Sequence, residues 1–479
     1  MIIAFILYTI ILFVVSGVAS RRSAGGSFYS AGRRAPWLAV AFGMIGASLS
    51  GLTFVSVPGN VYSQNFYYVP LVLGFTIGFV VVAKLLLPLY YKLELTSIYE
   101  YLEQRFGAPA RTVGAVVFII SRLLGASVRI FIVVVALHAL FPDFASVPLL
   151  TLGFMLLLFL YTFRGGVKAV IWTDVVQTLF MLAAVVLTIF QVSRLMGCSV
   201  FEMSGAVMQS DYSQMFDLRA ASPTNMFKQI FAGIFMTVVM TGLDQGNMQK
   251  NIACRDLRAA QKNMYLTGVL VVIVSLLFLF LGAILSLFVD SRGGLTAIGA
   301  SGTDGIFSSV VVGNLPPITG VVFVIGLLSA AYPSAGAALT SLTSSVCVDF
   351  LHLDKLGGGD ARRAPRVRHF VHALVAVAFV LIIIAFDRWG NQALINFFYQ
   401  IASYTYGPLL GLFACGLYTK IRVRRWGFAV AAVASPVLSW AFQHFCKTLL
   451  HFDCGFFLLI VNGAIMCALL YTFREKSTE

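Results

Sequence analysis

Residues 37–62 read WLAVAFGMIGASLSGLTFVSVPGNVY, long enough to cross a bilayer yet poorly suited to one continuous helix. A crossing takes roughly 20 apolar residues. Here Gly43, Gly46 and Gly51 interrupt the run, Ser48, Ser50 and Thr53 put hydroxyls at mid-depth, and Pro58-Gly59 follows. Backbone groups freed inside lipid are costly unless protein, ions or water satisfy them. Two readings stay open from this stretch alone. One is a discontinuous helix lining a midplane cavity, as in secondary transporters. The other is a helix contact in which Gly and Ser only permit close approach.

The surrounding composition sets the class. Of 479 residues 59% are hydrophobic and 11% charged, which no soluble domain matches. The alternating ten-residue pattern of a membrane β-barrel is absent. The expected fold class is therefore an all-α polytopic membrane protein with the lipid bilayer as a partner. The formal charge of +14 sits in short loops between apolar runs, so it is topological and implies no nucleic-acid partner. The seven cysteines are scattered without C-x-x-C spacing and read as buried thiols. His369 and His372 share a basic loop boundary and read as interfacial.

Apolar runs at 2–20, 37–62, 67–91, 112–141, 146–163, 167–193, 228–248, 264–289, 318–349, 370–386, 392–418, 427–445 and 454–472 predict thirteen transmembrane helices. Every second connection is basic: 21–34, 92–111, Arg164 with Lys168, 250–262, 355–368 and 420–425. The positive-inside rule then puts the N-terminus outside and the C-terminus in the cytoplasm of a cell (inner or plasma) membrane. A cleaved signal peptide ending at GVAS is the alternative for the first run. It would leave Arg21, Arg22, Arg33 and Arg34 outside, so residues 1–20 are taken as a leading span. Residues 93–106 read as an amphipathic helix on the cytoplasmic face, 198–225 and 291–314 as outer segments with short helices, and GGGDARR at 357–363 as a flexible cytoplasmic turn. No soluble domain is expected at either end.

Several segments, in order along the chain, resemble the sodium:solute symporter family. They are LSGLTFVSVPGNVY, IYEYLEQRFG (98–107), YTFRGGVKAVIWTDVVQ (161–177), DQGNMQK (244–250), LSAAYPSAGAALTSLTSSVCVDF (328–350) and YGPLLGLFACG (406–416). The resemblance is closest in feel to members of the sialic-acid and carboxylate type. It implies an inverted-repeat fold with a core at 37–418, five helices in each of the halves 37–193 and 228–418. The leading helix and two C-terminal helices at 427–472 lie outside that core.

The resemblance also implies a sodium ion, the coupling ion, held by the carbonyls of Gly46, Leu49 and Ala331 and the hydroxyl of Ser334. Hard oxygens suit a hard cation, and unwound carbonyls are natural donors. A second hydroxyl usual in the family is Ala335 here, and Pro333 leads to the expectation of a local break in that helix. A packing role for Ser334 is the alternative. Asp174 lies in an apolar span, where a charge costs roughly 2.5–3.5 kcal/mol on the mildest scale. Matching aspartates serve a second sodium site in some members, but the hydroxyl partners expected there are Ala337 and Ala338. Asp174 is thus expected at a second ion site, at a gate paired with a loop arginine, or as a bridge between helices.

Arg122 and Arg129 stand seven residues apart on one helix face. Arg122 is near enough to the cytoplasmic end to snorkel. Arg129 is deeper, keeps its proton and needs an anion or several acceptors. Sialic-acid-type members hold the substrate carboxylate with an arginine at the matching place, and a bidentate fork suits that task. Ser48, Ser50 and Thr53 would add hydrogen bonds to the substrate. A structural arginine paired with Asp174 or with helix-end carbonyls is the alternative. The span LVLGFTIGFVVVA lacks the polar residue that sugar carriers place there, and Phe397, Phe398, Tyr399, Tyr404 and Tyr406 are candidates for a lid.

The expected function is sodium-coupled import of a small organic solute, an anion such as a carboxylate. Proton coupling, a neutral solute, or a transmembrane sensor are the competing classes. No enzyme motif such as H-E-x-x-H or G-x-S-x-G is present. Substrate identity and oligomeric state are not written in the sequence.

Overall fold

The computed structural model describes residues 2–21, 35–95, 97–140, 145–162, 166–300, 302–353, 364–389 and 394–475. Expectations for the basic loop 22–34, for Arg164, for Lys355 and for the 357–363 turn fall outside those residues.

The chain opens with α1 (Ile2–Arg21), followed by α2 (Trp37–Ser48) and α3 (Gly51–Gln64). Next, α4 (Val69–Val81) runs through a π turn, Val82–Leu86, into α5 (Leu87–Lys92). Then come α6 (Glu100–Phe106), α7 (Ala108–Leu140), α8 (Val147–Thr162), α9 (Gly166–Leu195) and α10 (Val200–Gln209). Beyond these, α11 (Met226–Thr237) passes through a π turn, Val238–Gly242, before α12 (Gln245–Ile252), α13 (Leu257–Ser291) and α14 (Ile306–Asn314). The last are α15 (Pro317–Ser345), α16 (Ala364–Trp389), α17 (Leu394–Tyr418), α18 (Gly427–Leu449) and α19 (Leu458–Thr472).

Among the described residues there is no strand beyond isolated bridges, and eight helices are long and apolar enough to cross a membrane. The number is ten if each of two bent pairs, α2 with α3 and α11 with α12, counts as one span. The protein is a multi-pass, all-helical membrane protein. Lipid-facing stripes show the reason: Leu149, Leu152, Leu156 and Leu160 are all exposed at helical spacing on α8. The inner helices instead bury small and polar residues, and α15 is buried along most of its length.

Two close approaches shape the interior. A Cβ on Gly74 would lie 3.0 Å from Gly233 Cα, so α4 and α11 meet glycine to glycine. That contact gives the glycines of the second core span their use, which is helix approach. Gly46 is the other, and it is described with the site.

Two expectations are corrected here. Pro333 does not break its helix, because α15 continues through it. A proline removes one backbone donor, and this ring packs directly against Gly46, with Pro333 Cβ 3.3 Å from where a Cβ on that glycine would stand. The helix within the 93–106 segment, α6, has one face buried through Tyr101 and Leu102 and the other open at Gln104. Ile98, Tyr99 and Leu102 are fully buried, and Arg105 donates to the carbonyls of Gly416, Thr419 and Ile421. His372 is not interfacial. It is 4% exposed, with its two ring nitrogens 3.0 Å from Thr162 Oγ1 and 2.9 Å from Thr343 Oγ1. None of the seven cysteines is in a disulfide.

Candidate functional site

The stretch that opened the sequence reading is a broken helix. Its halves α2 and α3 meet at 58° across Leu49 and Ser50. The last bond of the first half runs from Leu49 N–H to Ile45 O at 2.7 Å. The first of the second half runs from Phe54 N–H to Ser50 O at 3.1 Å. Between them the chain is extended, with Ser50 at φ −85° and ψ 179°, so carbonyls at the end of α2 leave the helical ladder.

Both sides of this break rest on α15. Gly46 abuts Pro333, and a Cβ on Gly51 would stand 3.6 Å from Ala331 Cβ. Ser334 Oγ donates to Ala331 O at 3.1 Å, which links two of the expected ligands and leaves the hydroxyl oxygen able to accept or coordinate. Gly46 and Gly51, on either side of the break, thus pack on the stretch of α15 that carries Ala331 and Ser334. Sequence reasoning missed Thr178 on α9. Its Oγ1 would lie 2.6 Å from a Cβ on Gly46, and it donates to Phe42 O and Asp174 O.

The second break, where α11 and α12 meet at 67°, is built differently. Asp244 Oδ1 accepts from Asn247 N–H at 3.0 Å and so caps α12. Tyr90 Oη donates to Gly242 O at 2.9 Å, and Tyr99 Oη to Leu243 O at 3.0 Å. Arg122 is the surprise here. Rather than snorkelling it is 4% exposed, with Nη1 3.2 Å from Asp244 Oδ2. The separation is that of an ion pair, but the atoms are not aligned as a hydrogen bond, and Nε and Nη2 of Arg122 have no protein partner.

The two breaks enclose a cavity of about 80 Å³. Ser48, Leu49, Ser50 and Thr53 form one wall, and Thr237, Thr241 and Asn247 the opposite one. Arg122 and Arg129 of α7 both reach it. Arg129 lies with its guanidinium carbon 4.6 Å from the centre of the Phe398 ring, and its buried Nε has no hydrogen-bond partner. Of the lid candidates, Phe398 and Tyr399 line the cavity, and Tyr399 Oη is 3.1 Å from Tyr68 Oη. The balance of charge is the salient property. Two guanidiniums face the cavity and Asp244 neutralises one of them, which leaves one positive charge and several unpaired donors.

Asp174 stands apart from this cavity. Lys250 Nζ is 2.6 Å from its Oδ2, and both side chains are buried. The partner is therefore a lysine of α12, not the loop arginine expected, and not Arg129. The i+4 spacing of Gly246 and Lys250 in DQGNMQK puts the lysine on the same face as the capped turn, but nothing in the sequence named Asp174 as its acceptor.

Two broken helices facing one another around a cavity lined by hydroxyls and two arginines define a secondary transporter. The chain matches the model of the sodium:solute symporter family over residues 28–432, and it belongs to that family. It is a sodium-coupled symporter of an organic solute and not an enzyme, with Na+ as the coupling ion. It is 24% identical to the sodium/sialic acid symporter of Proteus mirabilis over 422 residues, 84% of this chain and 81% of that protein. It is 26% identical to the sodium-dependent multivitamin transporter of Oryctolagus cuniculus over 405 residues, 82% of this chain and 62% of the rabbit protein. A solved Na+-coupled sialic acid symporter in a substrate-bound, outward-open state shares the fold. Its TM-score is 0.82 at 20% identity, with 98% of this chain and 96% of that one covered.

Proposed function

We propose that the protein imports a small organic anion, a carboxylate of the sialic-acid kind, together with sodium. The observation carrying this reading is the pair Arg122 and Arg129 lining one cavity, with a single carboxylate, Asp244, beside Arg122 to balance them. Arg129 supplies the planar fork for the solute carboxylate. Ser48, Ser50 and Thr53 bind its polar groups. Sodium sits between the first break and α15, on the carbonyls of Gly46, Leu49 and Ala331 and on Ser334 Oγ. Asp174 is held by Lys250 and acts as a gate contact between α9 and α12, so one sodium accompanies each solute.

The same reading takes the chain as thirteen crossings with the N-terminus outside and the C-terminus in the cytoplasm. A five-plus-five inverted repeat fills 37–418, preceded by residues 1–20 and followed by the helix pair within 427–472. Helix occupies part of every one of the thirteen apolar runs, which supports that count. Proteoliposomes loaded with a panel of radiolabelled carboxylates test the function. Uptake should need an inward sodium gradient, and transport of neutral solutes alone, or uptake indifferent to sodium, would reject it.

A further inference from the structure

We infer that a second cavity, separate from the central one, is a binding site for a small uncharged solute rich in hydroxyl and amide groups. It encloses about 250 Å³, just under the range of roughly 300–1,000 Å³ typical of small-molecule sites. It is carried by the ends of α3 and α11 remote from the breaks: Gln64 stands in the last turn of α3 and Gln229 in the first turn of α11. Gln400 and Ser403 of α17 and Gln443 of α18 complete its polar wall.

Gln229 points to a ligand. Its side chain is 4% exposed, lines this cavity, and its Oε1 is buried without a hydrogen-bond partner. An amide left in that state costs free energy that a solute donor would recover. Across the cavity Gln64 spends its Oε1 on Asn60 Nδ2 at 3.2 Å, which leaves its own amide donors for a solute acceptor.

The charges at this site are already matched, and that fixes the class of ligand. Lys447 Nζ is 2.9 Å from Asp453 Oδ2, while Asp453 Oδ1 accepts from Gln443 Nε2 and from Gly455 N–H at 2.8 Å each. Lys228 Nζ, the other nearby cation, donates to the carbonyls of Asp453 and Ser222 and lies 3.6 Å from the Phe452 ring centre. Lys228 does not line the cavity, and the one cation that does, Lys447, is paired with the one lining carboxylate, Asp453, in contrast to the central cavity. The two spaces are divided by aromatic rings. Phe456 lines this cavity, Tyr399 lines the other, and their centroids are 4.5 Å apart.

The test is equilibrium binding of radiolabelled N-acetylglucosamine, a neutral amide with several hydroxyls, to the purified full-length protein in nanodiscs. Wild type should bind it saturably. Gln229→Leu should weaken binding about tenfold, as loss of a buried hydrogen-bonding partner does. Gln64→Leu, at a half-buried position where folding is not at risk, should weaken it about threefold. Absence of saturable binding to wild type overturns the inference. So does binding that survives both glutamine variants and disappears with Arg129→Ala, because the probe then occupies the central cavity. Neither outcome bears on sodium-driven uptake of anions, so this site and the transport reading fail independently.

Discussion

The two helix breaks look alike in outline, with bends of 58° and 67°, but they satisfy their backbones in opposite ways. At the second, side chains fill the gap: Tyr90 and Tyr99 donate to the carbonyls of Gly242 and Leu243, and Asp244 caps α12. At the first, small residues bring the end of α2 against α15 and α9, where the only side-chain bond seen to an α2 carbonyl among the described residues is that of Thr178 to Phe42 O, and Ser334 Oγ is bound to Ala331 O. A break whose groups are saturated by protein is a fixed joint. One whose groups are left for an ion changes its stability when the ion binds, and by linkage sodium and solute then tighten each other by the same factor. On the proposed function, the break of small residues is the coupling element, and the break rich in side chains is its rigid counterpart.

The largest expected effect lies at the rigid break. Asp244→Ala removes the cap of α12 and leaves Arg122 charged and buried, a loss of about 3–5 kcal/mol. Thermal unfolding of the purified variant measures it, and wild-type stability would show that the joint does not depend on its carboxylate. At the cavity between the breaks, Arg129→Lys keeps the charge but loses the fork. Apparent affinity for the carboxylate should fall at least tenfold, about 1.4 kcal/mol, while sodium binding survives. Unchanged affinity in Arg129→Ala would make that arginine structural.

At the coupling break, Ser334→Ala should weaken sodium dependence by roughly 1 kcal/mol, the value of one good oxygen partner. Wild type should show a sodium Hill coefficient near one. A coefficient near two, with inward positive current on a supported membrane, would return Asp174 to a second ion site. The smallest effect is expected from Tyr99→Phe, which unpairs one carbonyl of the rigid break at about 0.5–1.5 kcal/mol. It should lower stability and leave sodium dependence alone. A shift in sodium dependence instead would erase the distinction between the two breaks.

By itself the sequence determined the helical membrane class, the positions of the apolar runs and the first break. Each of these depends on the composition of a short window: apolar length against bilayer thickness, and Gly-Ser clusters that cannot hold a continuous ladder. It also singled out Arg129, because a guanidinium amid apolar neighbours demands a partner wherever the chain folds. Only tertiary structure decided the partners. Arg122 meets Asp244 and Lys250 meets Asp174 because helices far apart in the chain pack side by side, and hydropathy has no term for such pairs. The smooth passage of α15 through Pro333 was decided in the same way. A proline's cost is local, but the space that Gly46 leaves for its ring belongs to another helix.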